Sequence, residues 1–331
     1  MNHSKIRWGI LGCGRIAKKF ASDLRLVNDA ELIAVASRSK ENAVIFAREF
    51  PCKYVLGSYE ELAMNSEVDV IYIATPHSCH YENTLLCLKH NKAVLCEKAF
   101  AINSRQAKEM IAKAREKKVF LMEALWTKFL PHYNKLQDLV ENKTLGDIKA
   151  VLINFGFRLG ENAPARLMEP ALGGGTLLDI GIYNVFMALS VLGKPDSIEA
   201  AMVSSPQNID EQLSVLFKYN SGSMAQLFSS FTTNLPTQAE ICGTKGGITI
   251  TTRFYEPSAR LELYQDVKGE RKVIPVNQEE GYGYQYEARH VNDCLKKGLT
   301  ESPLMTHSDT LLLMETMDEI RRIAGIKYAE D

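Results

Sequence analysis

A lysine, an aspartate and a tyrosine stand where their chemistry could be used. Lys98 follows the apolar run Ala93-Val94-Leu95-Cys96 and Glu97. A lysine partly desolvated at the end of such a run has a lowered pKa and can stabilise charge on a reacting oxygen. Its residues alone leave an ion pair with Glu97, or an exposed strand-end lysine, equally open. Asp179 and Tyr183 lie four residues apart after Gly173-Gly174-Gly175. On a helix that spacing puts both on one face. A carboxylate there could orient a lysine or a substrate hydroxyl, and a phenol could exchange a proton. Spacing alone fits a half-buried polar pair tying helix to sheet even better.

A third pattern concerns a ligand. Ile6 to Leu11 leads into Gly12-Cys13-Gly14-Arg15-Ile16-Ala17, after which Ile16, Phe20, Leu24 and Val27 recur at helical spacing. A GxGxxA turn between strand and helix lets the backbone approach a pyrophosphate, whose charge the helix N-terminus favours. Glycine turns also occur without nucleotides, so the motif gains weight from its place at the first strand of an alternating domain. The 2′ position of a bound dinucleotide is read at the end of the second strand, here Ser37-Arg38. An arginine there accommodates a 2′-phosphate, so NADP(H) is expected in preference, with NAD(H) possible. Asp29 and Glu31 precede that strand and would lie at its other end, and the alternative for Arg38 is a solvated surface arginine.

These residues need elements to carry them. Leu32 to Ala36, Val70 to Ala74, Ala93 to Cys96 and Val119 to Met122 read as further strands, and Glu41 to Phe50 and Ser104 to Lys117 as helices. The alternation predicts an α/β, doubly wound Rossmann domain with a parallel sheet over residues 1–124. Ligands bind such sheets beyond the carboxyl ends of the strands, where Thr75-Pro76-His77-Ser78-Cys79-His80 and Glu97-Lys98 also fall. From residue 125 the rhythm changes to a long helix and then consecutive strands, among them Leu213 to Tyr219, Ser223 to Phe231 and Ile248 to Thr251. This predicts a C-terminal α+β domain over 125–331 with a large, mostly antiparallel open sheet.

Composition narrows the classes. The 331 residues carry 39 Lys plus Arg against 40 Asp plus Glu, a net charge of -1. No cationic excess points to nucleic acid or to an acidic membrane surface. No signal-peptide pattern opens the chain and no uninterrupted apolar stretch is long enough for a bilayer, so no membrane partner is expected. The 7 cysteines stand singly, which suits reduced thiols and a cytoplasmic location. His77, Cys79 and His80 crowd too closely after one strand to make a tetrahedral set, so no metal site is expected.

The sequence resembles the Gfo/Idh/MocA oxidoreductases over essentially its whole length. The resemblance runs through the glycine turn, Thr75-Pro76 with His80, Glu97-Lys98, the Gly173 to Tyr183 segment, Cys242-Gly243-Thr244-Lys245-Gly246 and Met317-Asp318-Glu319-Ile320-Arg321. Met122-Glu123-Ala124-Leu125-Trp126-Thr127-Lys128-Phe129 and Leu178 to Tyr183 look most like the branch of dimeric dihydrodiol dehydrogenase and NADP-dependent xylose dehydrogenase. The resemblance implies hydride transfer between nicotinamide and a sugar, diol or related carbonyl compound, and a homodimer paired through the C-terminal sheet. It implies that Lys98, Tyr183 and Asp179 are catalytic. Gly12, Gly14, Arg15, Ile16, Ala17, Ser37, Arg38, Thr75, Pro76, His77, His80, Glu97 and Lys98 would hold the cofactor. Trp126, Phe157 and Arg158 would face the substrate, which Arg166 could also reach, though ordinary packing or a loop salt bridge would explain these four as well. The family's Glu-Lys-Pro is Glu97-Lys98-Ala99 here, and the Asn common after Thr-Pro is His77. The same resemblance permits a nicotinamide-binding sensor or regulatory protein without turnover, against which the joint presence of Lys98, Asp179 and Tyr183 argues.

Overall fold

A computed structural model describes residues 5–266, 268–329 and 331. The chain forms two compact units, one of Met1–Phe129 with Glu279–Leu311, the other of Leu130–Gln278 with Leu312–Asp331.

The first unit is built on strands β1 (Ile6–Leu11), β2 (Ala30–Ala36), β3 (Tyr54–Leu56), β4 (Val70–Ile73), β5 (Ala93–Glu97) and β6 (Leu121–Ala124), with helices α1 (Arg15–Leu24), α2 (Lys40–Glu49), α3 (Tyr59–Met64), α4 (His80–Lys89) and α5 (Ser104–Lys117) between them. All pairings are parallel, in the order β3-β2-β1-β4-β5-β6. Strands β4 and β5 are buried along their whole length because helices cover both faces, so they read as apolar runs without alternation. Asn103 caps α5 by accepting from the Gln106 amide, and Ser39 caps α2 in the same way through Asn42. The strand order reverses between β1 and β4, and the carboxyl ends at that switch point carry Gly12 and Thr75.

The units are drawn differently from the expected 1–124 and 125–331. The first runs on to Phe129 and takes back residues 279–311. Buried polar bonds explain the return: Asp23 accepts from the amides of Tyr282 (2.9 Å) and Tyr284 (2.8 Å), and the Trp8 indole donates to Asn292 at 3.0 Å. Unpaired, these groups would be costly to bury, and nothing in local periodicity marks them.

The second unit holds helix α6 (Pro131–Glu141), strand β7 (Ile148–Gly156), the short helix α7 (Ala165–Met168) and helix α8 (Ile182–Leu192), then strands β8 (Ser197–Ser204), β9 (Asp210–Lys218), β10 (Met224–Ser230), β11 (Ala239–Gly243), β12 (Gly246–Thr251), β13 (Arg260–Tyr264) and β14 (Lys272–Ile274). Helices α9 (Tyr284–Lys296) and α10 (His307–Ala324) complete the chain. The eight strands lie in the order β14-β13-β12-β11-β7-β10-β9-β8. Every pairing is antiparallel except β7 with β10. Among the described residues one stretch, Pro170–Leu192, is long and apolar enough to cross a membrane, and 78% of its most apolar window is buried inside the protein, as in a core helix.

Candidate active site

In the first unit the predicted cofactor residues gather at one sheet edge. Gly12 has φ +98, and a Cβ there would come within 3.0 Å of the Ala74 carbonyl, so the turn needs glycine. Among the described residues a Cβ on Gly14 would meet nothing within 4 Å, and Gly14, the N-cap of α1, has no side chain to cap the amides that open the helix. The turn thus leaves donors and space together, which is what a pyrophosphate requires. Ala17 is fully buried, packing the start of α1 against the sheet, while Arg15 is exposed and Ile16 half-buried.

Beyond β2, Ser37 is buried and its hydroxyl accepts from the Ser39 amide at 3.3 Å, leaving Arg38 exposed. Arg38 lies beside the Tyr59 phenol, whose pKa is raised by burial and drawn back only in part by the guanidinium.

His80 is fully buried, and its two ring nitrogens lie 2.7 Å from the Ala99 carbonyl and 2.9 Å from that of Thr75. Burial and the Lys98 charge lower its pKa, although both carbonyls favour the cation. The neutral ring donates to one carbonyl at a time and joins the Thr75-Pro76 loop to the segment after Lys98. His77 is buried against it, edge to face at 5.7 Å. Asn83 donates to the Thr75 hydroxyl at 3.1 Å. Lys98 is half-buried, and the Lys98–Ala99 peptide is cis. Glu97 is buried and accepts a hydrogen bond from Tyr72.

In the second unit Asp179 and Tyr183 lie on successive elements, and both stand near Tyr255. Leu177–Gly181 is a π-helical turn leading into α8. Its i→i+5 bonding widens the helix at Asp179, and such turns recur at functional sites. Asp210 anchors the start of the turn, accepting from the Thr176 hydroxyl and the Leu177 amide, both at 2.7 Å. Burial pushes its carboxyl up to about 6. Arg166, on α7, donates to Asp179 at 2.6 Å. Tyr255, which sequence reasoning missed, stacks on Phe155 at 4.5 Å and lies 4.8 Å from the Tyr183 ring. Burial first, and the Asp179 charge among others, raise its phenol to about 12, so it stays neutral at ordinary pH. Thr252 and Arg253 both adopt left-handed backbone, φ +53 and +61, in the turn before it. That outlier, costly for a β-branched residue, was the kind of feature sequence does not announce.

Of the four residues expected to face substrate, one belongs to the first unit and three to the second. Trp126 belongs to the first unit, is buried and stacks on Tyr284 at 4.6 Å with planes 5° apart. Phe157 follows β7, half-buried, 5.4 Å from Phe231. Arg158 is exposed, its amide bonded to Asn234. Arg166 pairs with Asp179.

Comparison with known proteins follows this division. Residues 6–125 match the model of the GFO_IDH_MocA oxidoreductase family with an NAD-binding Rossmann fold, and residues 133–249 that of a GFO/IDH/MocA C-terminal domain. Trans-1,2-dihydrobenzene-1,2-diol dehydrogenase of Sus scrofa is 38% identical, with 98% of this chain and 99% of that protein covered. The chain belongs to the Gfo/Idh/MocA family. The Homo sapiens protein of the same name is 36% identical over 98% of this chain and 99% of its own. The fold is shared with an aldose-aldose oxidoreductase from Caulobacter crescentus complexed with glycerol (TM-score 0.88, 22% identity, 97% and 98% of the two chains). It is also shared with a 3-ketoreductase from Actinomadura kijaniata in complex with NADP and TDP-benzene (TM-score 0.86, 24% identity, 97% and 98%).

Proposed function

We propose that this protein is an NADP(H)-dependent oxidoreductase moving hydride between nicotinamide C4 and a carbon of a sugar, diol or related carbonyl compound. The observation that carries the reading is the open Gly12–Gly14 turn, with glycine as the N-cap of α1, and Arg38 exposed beyond the end of β2. The turn supplies amides to a pyrophosphate and Arg38 a cation to a 2′-phosphate. The curated relatives named as diol dehydrogenases support the substrate class. Nicotinamide, when bound, would supply the hydride acceptor for alcohol oxidation; Tyr183 would then take the substrate hydroxyl proton while its own phenolic proton leaves to solvent. Lys98 stabilises the charge on the substrate oxygen and Asp179 orients the hydroxyl. Reduction runs the same steps backwards.

A homodimer through the second unit's sheet belongs to the same reading. Its outward face exposes Leu152 (43%) and Met224 (44%), neighbours on paired strands β7 and β10. A cytoplasmic location suits the seven free cysteines.

The test is a fluorescence titration of nucleotide-stripped protein with NADPH and with NADH, followed by a screen of aldoses, diols and dicarbonyls. Tighter NADPH binding with turnover of one such class is expected. Binding of neither nucleotide overturns the proposal, and light scattering showing a monomer overturns the dimer.

A further inference from the structure

Arg166 stands out among the residues with no settled task. It sits on α7, four residues long, in the connection between β7 and the π-helical turn. Its Nη1 donates to Asp179 Oδ1 at 2.6 Å, with the arginine side chain 37% and the aspartate side chain 12% exposed. The contact is built by the glycines that precede the turn. The Gly174 amide donates to the Glu169 carbonyl and the Gly175 amide to that of Leu167, both at 3.0 Å. A Cβ on Gly174 would lie 2.9 Å from backbone atoms of Glu169 and Leu167. Glycine lets the chain close onto α7, and that closure seats the guanidinium against Asp179. The triple glycine thus has a purpose beyond opening a helix.

We propose that Arg166 is the positioning residue of this site, holding Asp179 as an oriented anion beside Tyr183 so that the proton in transit is carried by the phenol. The inference rests on the oxidoreductase reading above and adds to it a residue that acts through another. A guanidinium in contact favours the carboxylate over the acid, and a short charge-assisted bond fixes its rotamer. Three other groups bear on that carboxylate or its turn. Tyr183 lies in the first turn of α8, Tyr255 stays neutral, and Asp210 is engaged with Thr176 and Leu177 at the start of the π turn. Arg253, on the Tyr255 loop, pairs with Glu256 at 3.6 Å. Arg166 thus brings a cation into direct contact with Asp179.

The experiment compares wild type with Arg166→Met and Arg166→Lys. For Arg166→Met, kcat should fall by about tenfold or more while KM changes little, as for an interaction made in the transition state. The acid limb of its pH profile should move upward, because Asp179 then takes a proton at higher pH. Arg166→Lys should recover part of the loss, and millimolar guanidinium should rescue Arg166→Met. A raised KM with unchanged kcat would make Arg166 a substrate contact, and an equal loss at every pH would make it structural; either overturns the proposal. A measurement independent of turnover separates this from failure of the oxidoreductase reading. With carboxyl-labelled aspartate, and Asp179→Asn to assign the resonance, the Asp179 titration should rise by roughly one unit or more in Arg166→Met. An unmoved titration overturns the proposal whatever substrate the protein uses.

Discussion

Tyr255 lies flat on Phe155, ring planes 19° apart, and its centroid is 4.8 Å from that of Tyr183. The two tyrosines share a face but differ in use. With its phenol raised to about 12, Tyr255 keeps its proton and acts as a wall. Tyr255→Phe should therefore turn over nearly as wild type. Tyr255→Ala should lose roughly threefold to tenfold in kcat/KM, the worth of an aromatic pair. Tyr183→Phe should lose about a hundredfold or more, because a proton carrier is removed. Steady-state kinetics on one substrate checks all three.

Lys98 gives a sharper division between binding and chemistry. Lys98 is half-buried beyond β5, and in the proposed reaction its ammonium would meet a developing oxyanion. Lys98→Met should lower kcat by about a hundredfold or more while leaving the NADPH dissociation constant within a few-fold. Stopped-flow hydride transfer and nucleotide titration on the same preparation read the two quantities. Near-normal turnover would remove Lys98 from the reaction.

Arg38 should act on one nucleotide only. Replacing it by Ala removes a cation from the 2′-phosphate but touches nothing a 2′-hydroxyl requires. NADPH binding should weaken by about tenfold or more, as for a charge-assisted bond, and NADH binding should stay as it was. Equal weakening of both would show that Arg38 supports the fold through Tyr59 instead.

How far the site could be read beforehand depends on the range of the causes. The glycine turn, Arg38 and Lys98 are placed by strand ends, which apolar runs announce, and the parallel order follows from the alternation of elements. Asp179 and Tyr183 were placed by α-helical spacing, whereas Asp179 lies in a π turn held by Asp210 about thirty residues away and Tyr183 in the helix after it. Tyr255 was invisible because its position comes from two left-handed residues and from the packing of Phe254 beneath it. The return of residues 279–311 to the first unit rests on Asp23 and Asn292, polar residues whose partners lie hundreds of positions away. Strands β3 and β8 escaped notice too, the first for its three residues and the second for its exposed, mixed composition.

His132 sets a limit on acid stability in the second unit. It is buried on α6 and its Nε2 lies 2.9 Å from the Phe254 carbonyl, to which it donates. Burial pushes its pKa down to about 4, so the folded state resists a proton that the unfolded chain accepts from about pH 6.5. Stability is therefore lost as pH falls from 6.5 to 4, by at most about 3 kcal/mol. His132→Gln keeps a donor for Phe254 and removes the titration. Its melting temperature should fall less than that of wild type over this interval.

Glu123 has the opposite sign. It is buried on β6, opposite Cys96 on β5, and both its oxygens lack a hydrogen-bond partner among the described residues. Thr310 and the Phe100 backbone lie near enough to temper its charge, but burial dominates and raises its carboxyl to about 7. The folded state then binds a proton that the unfolded chain has released above about pH 4.5. Stability falls as pH rises from 4.5 to 7, again by at most about 3 kcal/mol. Glu123→Gln holds the neutral shape at every pH. The variant should match wild type near pH 4 and melt higher at pH 8. A constant offset between the two across that range would mean that Glu123 titrates normally and that some cation or water meets its charge.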